Sequence, residues 1–187
     1  GVTGSGKTAV FLHVIRHVLT VGKGVIVTVP EISLTPQTLA VFTAAFGDTV
    51  AVFHSGLSVG ERMDEWKRVR TGRAKIVVGT RSAVFAPVQN LGLIVMDEEQ
   101  ESTYKSESTP RYHARDIAKF RVNYNRAYCL LCSATPSVES YYMAQSGKYR
   151  YHALHHRYGD AVVPTVQLVD MNNEDLYRGK PMISMAL

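Results

Sequence analysis

Hydrophobic residues fall along this 187-residue chain in two rhythms. Short, nearly unbroken apolar runs at Val25–Val29, Ile76–Val78, Leu91–Met96 and Ala127–Leu131 place β-branched and aliphatic side chains at consecutive positions. Consecutive rather than alternating hydrophobicity predicts strands covered on both faces, as in a parallel sheet. Thr49–Phe53 is a weaker fifth candidate. Between these runs the apolar residues recur at helical spacing. Thr8–Leu19 contains no breaker and carries apolar side chains around most of its circumference, which predicts a buried helix. Thr35–Phe46 is predicted helical, with Pro36 tolerated in the first turn. Ser58-Val59-Gly60-Glu61 is a capping box that opens a helix running to about Arg70, and His113–Tyr124 and Ser137–Gln145 complete the set. Strands alternating with helices predict an α/β doubly wound domain, a mainly parallel sheet with helices on both faces.

After Gly147 the rhythm changes. Tyr149–Leu154 and Thr165–Asp170 read as strands, Gly159, Pro164 and Asn172–Asp175 interrupt them, and a helix begins near Ile183. Residues 1–148 are therefore expected to form one domain, and 149–187 a linker or the start of a second unit. No internal repeat or low-complexity tract is present. An apolar fraction of 45% with 20% charged residues excludes a disordered chain. The longest apolar runs are strand-sized, too short to span a membrane. The opening Gly1-Val2-Thr3-Gly4 has no basic n-region and no initiator Met, so it reads as a cut from something longer rather than a signal peptide. A net charge of +5 favours a polyanionic partner without naming one. Cys129 and Cys132 have C-x-x-C spacing, but three residues apart on a strand they point to opposite faces. One pair cannot close a zinc site, so two reduced core thiols are expected, a usage that suits the cytosol.

Chemistry enters at the first residue. Gly1-Val2-Thr3-Gly4-Ser5-Gly6-Lys7-Thr8 fits G-x-x-x-x-G-K-[ST] and runs straight into a helix. Glycines let successive N–H groups of Gly1, Thr3, Gly4, Ser5 and Gly6 curl around a phosphate chain, and the helix N-terminus adds partial positive charge. Lys7 would reach the β- and γ-phosphates and the Thr8 hydroxyl would bind Mg²⁺. A glycine-rich turn that merely caps a helix is the bland alternative. The strand that normally precedes such a loop is not in this sequence. Leu91–Met96 then ends in Asp97-Glu98-Glu99-Gln100, placing carboxylates where open α/β sheets bind ligands. Asp97 is placed to hold Mg²⁺ through water, and Glu98 to orient or deprotonate the attacking water. Alone, the same residues could be an acidic loop solvating a strand end; with the phosphate loop they complete a P-loop NTPase site. Thr80 and Arg81, after the flexible Gly79, suit a phosphodiester oxygen or an ion pair within the loop. Tyr104, Lys105, Arg111, Tyr112 and His113 interleave aromatic and basic groups, a pattern for unpaired bases and backbone phosphate or for a polar loop with packed tyrosines. Arg62–Lys75 reads as a solvated helix face, with contact to duplex phosphates the lesser alternative, and His13 and His17 as packing or surface residues.

The phosphate loop and the acidic strand end, followed after the next strand by Ser133-Ala134-Thr135-Pro136, resemble superfamily 2 helicases and translocases, whose motor lobes are RecA-like. That resemblance gives Ser133 and Thr135 the coupling of nucleotide state to strand movement. Val29–Thr35, His54–Ser58, Gly79–Ala83, Tyr104-Lys105, Pro110–Asp116 and Val169–Met171 resemble, in order, the primosomal protein N′ (PriA) replication-restart helicases. The resemblance implies an ATP- and Mg²⁺-dependent enzyme that unwinds forked DNA 3′ to 5′ at stalled forks. It implies catalytic roles for Lys7, Asp97 and Glu98, and Mg²⁺ held through Thr8 and Asp97. It gives DNA-binding or coupling roles to Thr80, Arg81, Gln100, Tyr104, Lys105, Arg111, Tyr112, Ser133 and Thr135. Single-strand-binding protein and primosome loader proteins are the implied partners, in the cytoplasm and away from membranes. Gln100 stands where the family has His; Gln can still donate and accept toward Ser133–Thr135, so altered coupling is expected rather than lost chemistry. The family's zinc-binding cysteines, arginine finger and N-terminal DNA-binding region are expected outside these residues. The chain then reads as the first lobe of a motor, weakly active or inactive by itself. The other readings are a superfamily 2 translocase of recombination or restriction type, and a non-hydrolysing DNA-binding module with a relic nucleotide site.

Overall fold

A computed structural model describes residues 6–155. Five strands, β1 (Gly24–Thr28), β2 (Val50–Phe53), β3 (Ile76–Gly79), β4 (Leu91–Met96) and β5 (Tyr128–Leu131), form one sheet in the order β2-β3-β1-β4-β5. Every pairing is parallel. Helices α1 (Lys7–Thr20), α2 (Pro36–Phe46), α3 (Val59–Arg70), α4 (Ala114–Asn125) and α5 (Val138–Gln145) fill the connections. The elements expected between Thr8 and Gln145 are therefore present, with ends displaced by a residue or so. Thr35 caps α2 by accepting the Thr38 N–H ahead of Pro36. Ser58 and Glu61 close the predicted capping box on α3.

Alternate residues of each strand serve opposite faces. Val25, Val27, Ile76, Val78, Leu93 and Val95 pack with Phe11, Ile15 and Val18 of α1 and Phe42 of α2. Ile26, Val77, Ile94 and Met96 pack with Val69 of α3 and Ala114 and Ala118 of α4. Both faces of β1, β3 and β4 are thus fully buried, which is why these runs contain almost no polar residue. The C-x-x-C pair divides as expected: Cys129 packs on the second face and Cys132 on the first. Burial pushes both thiols up to about 12, so neither is a reactive thiolate near neutral pH.

Two expectations are corrected. The run containing the cysteines was expected to be fully covered, but β5 is the edge of the described sheet, and Tyr128 is 76% exposed. Tyr149–Leu154 is not a strand. The N–H groups of Lys148 and Tyr149 both bond the Met143 carbonyl, in a turn closed by Gly147 at φ 74°. Those two amides complete the end of α5 rather than begin a ladder. The expected strand at Thr165–Asp170 and the helix near Ile183 lie outside the described residues.

Gly79 is fixed by close approach. A Cβ there would lie 2.2 Å from the Phe53 carbonyl oxygen and 2.8 Å from Ala83 Cβ. That carbonyl accepts the Thr80 N–H, so the turn after β3 is locked to the end of β2. Gly79→Ala should lower the unfolding free energy by about 1–3 kcal/mol, as other overpacked sites do, read as a lower urea midpoint at unchanged m-value.

Candidate nucleotide site and the loop beside it

Because all strands are parallel, their C-terminal ends share one edge, where the residues singled out from the sequence meet. Gly6, at φ 80°, turns the chain into α1 in a left-handed conformation that suits glycine. Lys7 follows in the first turn, and its Nζ donates to Glu98 Oε1 at 2.6 Å across 91 residues of sequence. Thr8 is exposed at the same helix end. Gly1, Thr3, Gly4 and Ser5 lie outside the described residues.

Glu98 occupies a left-handed turn at φ 45°, and its N–H is capped by Asp97 Oδ1 at 3.1 Å. Gln100 Nε2 donates to Glu98 Oε2 at 3.0 Å, and Ser133 Oγ donates to Gln100 Oε1 at 2.6 Å. Ser133 Oγ in turn accepts the Thr135 N–H at 2.8 Å. The amide at position 100 thus joins the acidic turn to the Ser133–Thr135 segment; toward that segment it only accepts, and its donation goes to Glu98 instead.

The two carboxylates titrate in opposite directions. Burial raises the Asp97 carboxyl, the neighbouring Glu98 charge raises it further, and Lys7 only partly offsets them. Burial also acts to raise Glu98. There the hydrogen bonds from Lys7 and Gln100, with the Lys7 charge, outweigh it and bring the group below its ordinary value. Two adjacent half-buried carboxylates facing one ammonium leave Asp97 poorly compensated, which is the chemistry a divalent cation would relieve.

A family model described as DEAD/DEAH box helicase matches residues 1–144. The chain belongs to this helicase family. Replication restart protein PriA of Bacillus subtilis (strain 168) is 51% identical over 187 residues, all of this chain. PriA of Chlamydia muridarum (strain MoPn / Nigg) is 49% identical over 175 residues, 93% of it. The chain spans 23% of the length of each of these relatives. Among solved structures, RecG bound to a three-way DNA junction matches 79% of this chain and 19% of that one at a TM-score of 0.55 and 24% identity. The C-terminal domain of the DEAD-box protein Dbp5 matches 78% of this chain and 81% of that one at 0.52 and 16%. These likenesses bear on the fold, which is that of a RecA-like helicase lobe.

Beside the nucleotide edge of this helicase lobe, the residues expected to touch DNA divide into two groups. Lys105 and Arg111 are exposed, and Tyr112 and His113 are half-buried, on a hairpin closed by the Lys105–His113 bridge and the Ser106 N–H to Tyr112 carbonyl bond of 2.7 Å. His113 Nδ1 accepts the Arg115 N–H and caps α4. Arg81 neither stands free nor makes the expected loop ion pair. Its guanidinium donates to the carbonyls of Thr103 and Lys105, at 3.0 and 2.5 Å, and lies 5.9 Å from the Tyr112 ring centre.

Tyr104 and Thr80 are corrections. Tyr104 is 1% exposed, too deep for its ring to stack on a base. Its hydroxyl lies 2.6 Å from the Asp97 carbonyl and 3.0 Å from the Thr28 carbonyl, tying the end of β4 to the end of β1. Burial pushes its phenol well above the usual range, so it remains a donor. Thr80 is 5% exposed, with its backbone held by Phe53 and Ala83, and offers no open surface to a phosphate.

Sequence reasoning passed over Glu99. Its side chain turns away from Lys7 and is 2% exposed. Glu99 Oε2 accepts from Arg115 Nη1 at 2.9 Å, Ser140 Oγ at 2.9 Å and Ser137 Oγ at 3.1 Å. Oε1 accepts the Ser137 N–H at 2.8 Å. This buried pair fastens the acidic turn to the starts of both α4 and α5. Removing one partner of such a pair costs about 3–5 kcal/mol, because the other charge is left uncompensated. The signal was weak but present: consecutive carboxylates after a strand cannot all face one ligand.

The raised Asp97 pKa has a sign. The folded state holds that proton more tightly than the unfolded chain, so this group's contribution to stability falls as pH rises through its folded pKa. At neutral pH the penalty is fully present. Asp97→Asn, whose amide oxygen can still accept the Glu98 N–H, should therefore melt a few degrees higher than wild type at pH 7. That gain should shrink toward zero below the ordinary aspartate pKa, measured by thermal melts across pH 3–7.

Proposed function

We propose that this chain is the first RecA-like lobe of an ATP-dependent DNA helicase of the replication-restart type, unwinding forked DNA 3′ to 5′. The observation that carries the reading is one continuous hydrogen-bonded path, Lys7–Glu98–Gln100–Ser133, with successive contacts of 2.6, 3.0 and 2.6 Å. It joins the phosphate-loop lysine, the water-orienting carboxylate and the segment that responds to nucleotide state. Similarity to PriA proteins along the whole chain supports the restart assignment.

The residues fit Mg-ATP. Bound there, the metal would supply charge neutralisation at the phosphates and beside Asp97; Thr8 and Asp97 are the residues to hold it. The chain's own groups do the rest. Lys7 is held by Glu98 Oε1 at 2.6 Å. Phosphate oxygens would compete for the same ammonium, and with Lys7 turned to them Glu98 would lose one of the groups that hold its pKa down, Gln100 remaining as another. Glu98 would then be free to orient a water. Gln100 keeps its grip on Glu98 and passes the change to Ser133 and Thr135. An arginine from a second lobe would complete transition-state charge stabilisation, worth on the order of 10³-fold or more in this reaction class.

DNA would lie along the same strand-end edge, with Lys105 and Arg111 of the hairpin on backbone phosphate and Tyr112 against a base. Arg81 serves by holding that hairpin in place and lends the phosphate path its charge. Single-strand-binding protein and primosome loaders belong to this reading as partners of the intact protein in the cytoplasm. No helix among the described residues is long and apolar enough to cross a membrane.

Lys7→Ala in the intact protein should reduce DNA-stimulated ATP hydrolysis and fork unwinding at least 10²-fold, a loss comparable to removing a charge stabiliser of the transition state. Retained unwinding by that variant would eliminate the motor reading in favour of a DNA-binding module with a relic site.

A further inference from the structure

The backbone that carries Asp97 is tied down group by group. The Asp97 N–H is bonded to the Thr28 carbonyl at 2.9 Å, and the Glu99 N–H to the Cys132 carbonyl at 3.0 Å. The Glu98 carbonyl accepts the Glu101 N–H at 2.9 Å, and the Glu98 N–H goes to Asp97 Oδ1 at 3.1 Å. The Asp97 carbonyl is served differently. In the parallel register that sets Thr28 beside Met96, its next donor along the chain after β1 would be the N–H of residue 30, and Pro30 has none. The donor is instead a side chain, the Tyr104 hydroxyl at 2.6 Å.

That hydroxyl acts on the carboxylate through one peptide plane. A trans peptide carries its carbonyl and its N–H on opposite sides. Holding the Asp97 carbonyl toward the buried phenol therefore points the Glu98 N–H the other way, onto the Asp97 carboxylate. Glu98 sits at φ 45°, a left-handed conformation that a side chain disfavours and that persists only where its surroundings dictate it. With the Glu98 N–H on Oδ1, the carboxylate is turned to present Oδ2 to a cation. The phenol is itself well fixed. The short turn Ser102–Tyr104 is closed by the Tyr104 N–H to Glu101 carbonyl and Lys105 N–H to Ser102 carbonyl bonds, of 3.3 and 2.9 Å. It returns the ring beneath the strand end seven residues after Asp97, with the Thr28 carbonyl 3.0 Å from the same hydroxyl.

We propose that Tyr104 is a positioning residue for the divalent cation of the nucleotide site. Its hydroxyl fixes the Asp97–Glu98 peptide, so that Asp97 offers its free oxygen to the metal in one orientation. The inference rests on the reading of this edge as an Mg-nucleotide site. It gives a role there to a side chain that touches neither nucleotide nor metal. Groups that orient a metal-binding side chain in this way typically account for about 10–100-fold in metal affinity.

The test measures binding of N-methylanthraniloyl-ADP to the intact protein by anisotropy, once in Mg²⁺ and once in EDTA. The ratio of the two dissociation constants is the metal's contribution. Wild type should bind more tightly in Mg²⁺. Tyr104→Phe, which keeps the buried ring, should weaken binding in Mg²⁺ about tenfold and leave binding in EDTA unchanged, which a folding defect would not do. Asp97→Asn should lose the Mg²⁺ effect, and adding Tyr104→Phe to it should cost nothing further, because the phenol acts through that carboxylate. Undiminished binding of Tyr104→Phe in Mg²⁺, equal losses with and without the metal, or a loss that adds to that of Asp97→Asn would each overturn the positioning role while leaving the nucleotide site intact. Wild-type binding indifferent to Mg²⁺, or no binding of the nucleotide at all, would overturn both.

Discussion

The parallel pairing of β1 with β4 is the constraint on which the rest of the structure depends. Ile26 stands beside Ile94, Val27 beside Val95 and Thr28 beside Met96, so both strands end at the same level. The Thr28 carbonyl then accepts the Asp97 N–H at 2.9 Å, and Tyr104 reaches both carbonyls from below. Shifting this register by one residue would turn every core side chain to the opposite face. The apolar faces that bury α1 and α2 on one side and α3 and α4 on the other therefore also fix where Asp97 and Glu98 emerge.

Two polar systems grow from that strand end, in opposite directions. Glu98 and Gln100 face α1 and the Ser133 turn, where their contacts are half-exposed and, on the proposed reading, would exchange for those of a nucleotide. Glu99, between them, faces inward and is saturated by Arg115, Ser137 and Ser140. The exchangeable path and the permanent anchor share three consecutive residues. This arrangement lets Lys7 leave Glu98 without loosening the turn that carries Asp97, since Glu99 and Tyr104 hold that turn from inside.

How much of this was legible in the chain depended on whether the physics was local. The strands announced themselves because a doubly covered parallel strand tolerates few polar residues, and α3 because Ser58 and Glu61 satisfy each other within one turn. Lys7, Asp97, Glu98 and Ser133 were legible as linear patterns, and the hydrogen-bonding capacity of Gln100 pointed it toward Ser133–Thr135, whereas its bond to Glu98 was not legible. Tyr104 was not legible. A tyrosine in a polar stretch looks available to solvent, and only the short helical turn Ser102–Tyr104 and the carbonyls of Asp97 and the distant Thr28 draw it inside. Arg81 likewise found carbonyl acceptors 22 and 24 residues away, contacts that no spacing rule anticipates. Glu99 needed Arg115 and two serines from separate helix starts. Tyr149–Leu154 has the composition of a strand, but its first amides were already taken by the end of α5.

On the proposed reading Gln100 and Ser133 would act as one link between Glu98, the group proposed to orient water, and the segment proposed to respond to nucleotide. A double-mutant cycle on DNA-stimulated kcat in the intact protein tests it most directly, with Gln100→Ala, Ser133→Ala and the double variant. If the 2.6 Å contact is the link, each single variant breaks it and the double variant is no slower than the slower single. Losses that multiply, giving a double variant slowed by the product of the two, would show that the residues act independently and would contradict the account.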